Sequence, residues 1–229
     1  MVDPAKLQWA PMVEVFRPFM LLPAYGLAAL VVLLLYAVQS ELRFGQKARK
    51  MLPGSADRGS TLAVSLSSAV PVLGFVLAMK AQTSRRGVGL PNWFGPMPAM
   101  PAIAWAGVIV GALGLLLRLW SVLTLRHRYT RTLLTSNNHA LECGGPYRFV
   151  RHPGYLGSLL CLNGIAVASG ELLILMVSIA VTGVAYAYRI HVEDAMLVAR
   201  FGASYERYCR EVHSLIPFAP PLFNLGERK

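Results

Sequence analysis

The densest concentration of residues able to do chemistry is the run His139-Ala-Leu-Glu-Cys-Gly-Gly-Pro-Tyr-Arg-Phe-Val-Arg-His-Pro-Gly-Tyr-Leu-Gly157. Gly144, Gly145 and Pro146 allow a tight turn with exposed backbone donors. Pro153 suits the first turn of a following helix, where its missing N–H would be unpaired in any case. The N–H groups and positive dipole end of such a helix hold an anion such as a carboxylate, and Arg151 and His152 stand beside that end. A basic flank that merely anchors a helix explains the arginines but not the Tyr and Gly spacing. The second constellation is Arg189-Ile-His-Val-Glu193-Asp194. Arg189 and Glu193 are four apart and share a helix face. Taken alone they are an ordinary interfacial ion pair or, with Asp194, adjacent carboxylates able to neutralise a cationic ligand.

Other chemistries have no support in the sequence. There is no GxGxxG, P-loop, HExxH or paired CxxC. His139 and Cys143 are four apart, but nothing nearby completes a metal site, so no metal is expected. Cys143, Cys161 and Cys209 are far apart and odd in number, which implies no disulfide framework.

The elements that must position these residues are apolar. The chain has 229 residues, 55% of them hydrophobic and only 14% charged, where an average domain carries about 25% charged residues. That excludes an ordinary soluble enzyme. A net charge of +11 often marks a nucleic-acid binder, but the charges are few and lie between apolar blocks, so no nucleic-acid partner is expected. Crossing a bilayer as a helix takes about 20 apolar residues. Suitable blocks are 18–38, 61–79 and about 99–125, with 152–188 long enough for two helices joined by a turn at 168–171. The Pro-rich stretch up to residue 98 reads as a surface loop. Five transmembrane helices are therefore expected in an all-α, polytopic integral membrane protein. The first block is too long for a cleaved signal peptide.

Charge asymmetry orients the helices. Loop 39–60 carries five Lys/Arg, loop 126–151 five, and the tail from Arg189 six, against five on the opposite side. By the positive-inside rule the tail and these two loops face the cytoplasm and the N-terminus lies opposite. Arg118 lies within the third span, where it is either functional or snorkels to the interface. Gly107-x-x-x-Gly111 in that span reads as a close helix contact. Leu197, Phe201, Tyr205, Tyr208 and Val212 recur at helical spacing, predicting an amphipathic cytoplasmic helix that Pro217 ends. The basic 39–60 loop reads as a hinge lying on anionic lipid headgroups. A single domain spanning 1–229 is expected, with a two-span part over 1–98 and a core over 99–229.

At these residues the sequence resembles the isoprenylcysteine carboxyl methyltransferase family and its phospholipid methyltransferase relatives. The match runs from Arg118 to Pro217. It is carried by GGPYRFVRHPGYLG at 144–157, Arg189-x-x-x-Glu193-Asp194, Phe201-Gly202-x-x-Tyr205-x-x-Tyr208 and Ile216-Pro217. The resemblance implies an integral membrane enzyme that uses S-adenosylmethionine on its cytoplasmic side, beneath a lid formed by the C-terminal helix. It implies cofactor contacts from His139, Ala140, Leu141, Glu142, Tyr147, His152, Pro153, Gly154, Tyr155 and Glu193. Arg189 falls where the family orients its substrate, and Arg151 is a candidate to assist it. Catalytic roles are thus expected for Arg189, Arg151 and Glu193. The family's usual Glu-Glu pair stands here as Glu193-Asp194.

The expected activity is methyl transfer to a lipophilic or prenylated, membrane-dissolved acceptor, a carboxylate of the isoprenylcysteine type. An NADPH-dependent sterol or steroid reductase shares a similar RHPxYxG segment. Gly154, where those proteins have Asn, and Tyr205, where they have Trp, favour the methyltransferase. A non-enzymatic lipid-binding membrane protein is the third reading.

Overall fold

A computed structural model describes residues 24–41, 57–84, 101–125 and 141–216. The expected apolar blocks appear as α1 (Ala24–Glu41), α2 (Ser60–Ser84), α3 (Pro101–Leu125), α4 (Pro153–Ala168) and α5 (Leu172–Phe201), followed by a short α6 (Ala203–Glu211). Among the described residues the sole β pairing is one parallel bridge between Val150 and His213, so the all-α reading holds. Ser60–Ala78, Ala102–Leu125 and Leu172–Phe201 are long and apolar enough to cross a membrane, whereas Tyr25–Val38 and Pro153–Ala168 are shorter apolar helices. Large side chains such as Leu34, Leu66, Leu113 and Val184 are exposed on these helices, as expected for an integral membrane protein whose outer surface meets lipid. The Pro-rich loop before α3 and the 126–140 part of the basic loop lie outside the described residues.

The α4–α5 turn falls where the sequence puts it. Gly170 takes a left-handed φ of 72°, and Ser169 Oγ both donates to Ala166 O (2.6 Å) and accepts from Glu171 N (3.2 Å). The C-terminal end differs from expectation. Leu197 and Phe201 belong to α5, which continues unbroken past Arg189, and only Tyr205 and Tyr208 belong to the separate helix α6. The break is Gly202, at φ 51° and ψ −131°, a conformation that glycine reaches without steric cost. Periodicity alone does not reveal such a corner, because the apolar register carries across it.

Packing centres on α3 and α4, which share the largest interface. A Cβ at Gly114 would lie 2.5 Å from Cys161 N and 2.6 Å from Gly157 O; at Gly164 it would lie 2.6 Å from Gly107 O. The expected close contact of the third span is therefore made, backbone on backbone, with glycines from both helices. Van der Waals contact at this range, rather than hydrophobicity, holds helices together in lipid. Ala29, Val32, Phe75, Ala78, Val108, Cys161, Ile165 and Ala168 form a buried core joining α1 and α2 to this pair. Between α4 and α5, Ser178 Oγ donates to Asn163 Oδ1 at 2.8 Å and Asn163 Nδ2 donates to Thr182 Oγ1 at 3.2 Å.

Gly114→Leu and Gly164→Leu are expected to lower the thermal unfolding midpoint in detergent by several degrees, because overpacking of this kind costs about 1–3 kcal/mol or more. Gly183 has nothing within 4 Å of its Cβ position, so Gly183→Ala should leave the midpoint unchanged or raise it slightly. A wild-type midpoint for Gly114→Leu would contradict the backbone contact.

Candidate functional site

The site begins with a turn that favours glycine at residue 145. Gly145 has φ 55°, and a Cβ there would lie 2.9 Å from Thr124 Oγ1 at the end of α3. The chain then makes one 3-10 turn over Gly145–Arg148, with Tyr147 N donating to Gly144 O at 3.1 Å. Glu142 Oε1 accepts from Gly144 N at 3.1 Å, which fixes the strand of chain leading in. Residues 150–152 lie beside the end of the described chain: Arg151 N donates to His213 O (2.8 Å) and His152 N to Ser214 O (3.1 Å). Pro153 then opens α4 with His152 as its N-cap, as its position in the sequence predicts.

These residues meet α5 around Asp194, which is 3% exposed. His152 Nε2 lies 2.8 Å from Asp194 Oδ1, and Arg151 Nη2 is 3.3 Å from Asp194 Oδ2. An ionised carboxylate only accepts, so this pairing puts a proton on Nε2. Tyr205 Oη on α6 donates to the same Oδ1 at 2.5 Å. Glu193, the preceding residue, faces the other side of the imidazole, with Oε2 3.8 Å from His152 Nδ1. Glu193 Oε2, Arg151 Nε and Ser214 Oγ are buried without a hydrogen-bond partner in the protein. The imidazole stacks on Tyr155, with ring centroids 5.5 Å apart and planes 8° from parallel.

One turn back along α5, Arg189 Nε donates to Tyr155 Oη at 2.9 Å. Arg189 Nη1 donates to Asp57 Oδ1 at 2.5 Å and to Ser60 Oγ and Thr61 Oγ1 at 2.8 Å each. Helix α6 closes over the turn: Tyr208 Oη donates to Tyr147 O at 2.6 Å. Burial pushes the phenol pKa of Tyr205 and of Tyr208 well up, and the Asp194 carboxylate adds to the effect at Tyr205. Both are therefore neutral donors. Arg118 is held on α4 by its bond to Ser158 Oγ (2.7 Å), with its guanidinium 5.2 Å from the Tyr36 ring centroid.

The structure thus brings together Tyr147, Arg151, His152, Pro153, Gly154, Tyr155, Arg189 and Glu193, with Leu141 and Glu142 on the approach. His139 and Ala140 lie outside the described residues. Sequence reasoning missed Asp57, Ser60 and Thr61, which it placed in or just after a basic hinge. The available signal was an acidic residue directly ahead of an apolar helix, the pattern of an N-terminal cap. It also left the role of Asp194 open, and that carboxylate is bonded by Arg151, His152 and Tyr205 together.

An all-helical membrane protein with a polar cluster where α4, α5 and α6 meet is the class that fold and site define. The family model described as phospholipid methyltransferase matches residues 102–204. A probable protein-S-isoprenylcysteine O-methyltransferase of Oryza sativa subsp. indica is 30% identical over 118 residues, 51% of this chain and 62% of that one. The protein-S-isoprenylcysteine O-methyltransferase of Schizosaccharomyces pombe is 35% identical over 85 residues, 37% of this chain and 36% of its own length. A solved eukaryotic intramembrane Ras methyltransferase, an isoprenylcysteine carboxyl methyltransferase, shares the fold at a TM-score of 0.52 and 24% identity, covering 67% of this chain and 52% of that chain. This chain therefore spans less than two thirds of the length of each of these relatives. The resemblance read from Arg118 to Pro217 is shared with these relatives, and residues 102–204 match the family model described as phospholipid methyltransferase.

Asp57 gives this cluster a pH signature. Burial raises its carboxyl pKa, but hydrogen bonds from Thr61 and the Arg189 charge outweigh burial and hold it below the ordinary 3.8. A carboxyl depressed in the folded state adds stability that is complete above its unfolded pKa and is lost as pH falls through the folded value. The stability difference between wild type and Asp57→Asn should therefore be constant above pH 3.8 and shrink on acidification below it. Thermal unfolding in detergent across that range measures this; a pH-independent difference would contradict it.

Proposed function

We propose that this chain transfers the methyl group of S-adenosylmethionine to the carboxylate of an isoprenylcysteine-type acceptor dissolved in the membrane. The observation that carries the reading is the convergence of the 147–155 segment with Arg189 and Glu193 beneath α6. The names of the relatives support the acceptor class, and the excess of Lys/Arg in the loops beside the site supports a cytoplasmic orientation.

The residues fit the cofactor's chemistry. S-adenosylmethionine supplies an electrophilic methyl carbon on a sulfonium centre and carries an amino-acid end of mixed charge. Glu193 offers a buried carboxylate oxygen that has no hydrogen-bond partner in the protein and lies 3.8 Å from His152 Nδ1, suited to a cationic group. Tyr147, His152, Pro153, Gly154 and Tyr155 frame the side facing α4, with Leu141 and Glu142 on the approach; His139 and Ala140 complete the proposed set. Tyr205 and Tyr208 hold α6 in place as a cover that excludes water.

An acceptor carboxylate is already nucleophilic, so no general base is needed. Alignment of the reactants, worth up to about 7–11 kcal/mol of pre-organisation, is what the chain supplies. Arg189 orients the acceptor, a role for which Nε beside Tyr155 and Nη1 anchored on Asp57 give its guanidinium one fixed direction. Arg151, paired with Asp194, assists by setting the positive potential on that side.

Purified protein should be protected from thermal unfolding by S-adenosylhomocysteine and not by NADPH, the shift growing with ligand concentration as about RT ln(1 + [L]/Kd). With labelled S-adenosylmethionine and N-acetyl-S-farnesylcysteine, wild type should form a base-labile labelled ester. Glu193→Ala should abolish protection and labelling, and Arg189→Ala should abolish labelling while keeping protection. Protection by NADPH alone would overturn the reading.

A further inference from the structure

The helices α1 and α2 carry no motif of the site, yet the start of α2 delivers the partners of its principal arginine. Asp57 is 1% exposed, Ser60 0% and Arg189 4%. Ser60 Oγ (3.1 Å), Thr61 N (3.1 Å) and Thr61 Oγ1 (2.7 Å) all donate to the Asp57 carboxylate, so the carboxylate is itself held rigidly before it meets the guanidinium. The same two hydroxyl oxygens accept from Arg189 Nη1. Tyr188 Oη, on the adjacent residue of α5, donates to Arg58 O at 2.8 Å and ties the same loop down from outside.

A guanidinium is planar, and fixing two of its nitrogens fixes its direction. Here Nη1 is fixed by the 57–61 segment and Nε by Tyr155 Oη. A long arginine side chain held at only one of these points keeps much of its rotamer freedom. We propose that Asp57, with Ser60 and Thr61, is a positioning unit that sets the direction in which Arg189 presents its charge to the acceptor. The inference rests on the methyltransferase reading of Arg189 and makes the motif-free first half of the chain part of the active site. Asp57 touches neither reactant; its influence passes through Arg189.

Steady-state kinetics with N-acetyl-S-farnesylcysteine and S-adenosylmethionine test it on the full chain. Asp57→Asn and the near-isosteric Thr61→Val should lower kcat/KM for the farnesylcysteine by about tenfold or more. The KM for S-adenosylmethionine and the thermal protection by S-adenosylhomocysteine should stay at wild-type values. Thr61→Ser, which restores the hydroxyl, should recover acceptor kinetics, and it decides the matter with Thr61→Val if Asp57→Asn fails to fold. Wild-type acceptor kinetics in Thr61→Val would overturn the proposal, as would a parallel loss of acceptor and cofactor parameters, the mark of general loosening. A wild-type protein that neither labels the acceptor nor responds to S-adenosylhomocysteine is a separate result: it removes the methyltransferase reading, and this inference with it.

Discussion

A carboxylate out of contact with water must be compensated on all sides or it costs several kcal/mol, and Asp194 imposes that requirement on this fold. Its two oxygens are shared among Arg151, His152 and Tyr205, which come from two different parts of the chain. The 150–152 segment is drawn to α5 by its side chains and is then fixed by backbone bonds to 213–214. Tyr205 reaches Asp194 because the chain turns sharply at Gly202. Once α6 is turned back in this way, Tyr208 falls on Tyr147 O. One buried charge therefore accounts for the entry to α4, the corner after α5 and the seating of α6.

The glycine-mediated contact of α3 with α4 supplies the second half of that geometry. It brings the end of α3 close enough for Thr124 to sit under Gly145 and for Arg118 to reach Ser158. The turn that carries Tyr147 thus rests on α3, while the residues that follow it are tied to α5. Neither contact alone would fix both ends of the 144–155 segment.

What could be read in the sequence divides along physical lines. Apolar blocks announce themselves by length and lack of charge, so the five helices and the turn at Gly170 were legible. The 144–157 run and the Arg189–Asp194 cluster were legible because their residue types serve chemistry better than anchoring. The corner at Gly202 was hidden, since one glycine inside an unbroken apolar register carries little weight. Asp57 was hidden for a different reason: its role depends on a partner 132 positions away, and pairing across that distance leaves no local pattern. Asp194 looked like a variant of a carboxylate pair, and only the packing distinguishes it from Glu193.

That distinction has chemical content. Along α5, Arg189 and Asp194 are opposite charges that are both buried and are compensated from different halves of the chain, Asp57 on one side and Arg151 with His152 on the other. Glu193 lies between them in sequence. Its Oε2 is buried without a hydrogen-bond partner in the protein, although the side chain as a whole is 24% exposed. An unsatisfied polar atom of this kind costs about 1–3 kcal/mol, a cost that a bound cationic group would remove. Asp194 already engages Arg151 and His152, and Asp57 engages Arg189, so both of these carboxylates have partners before any ligand arrives. Under the proposed reaction this leaves Glu193 as the carboxylate best placed to meet a sulfonium or ammonium centre, with Asp194 as the structural half of the pair.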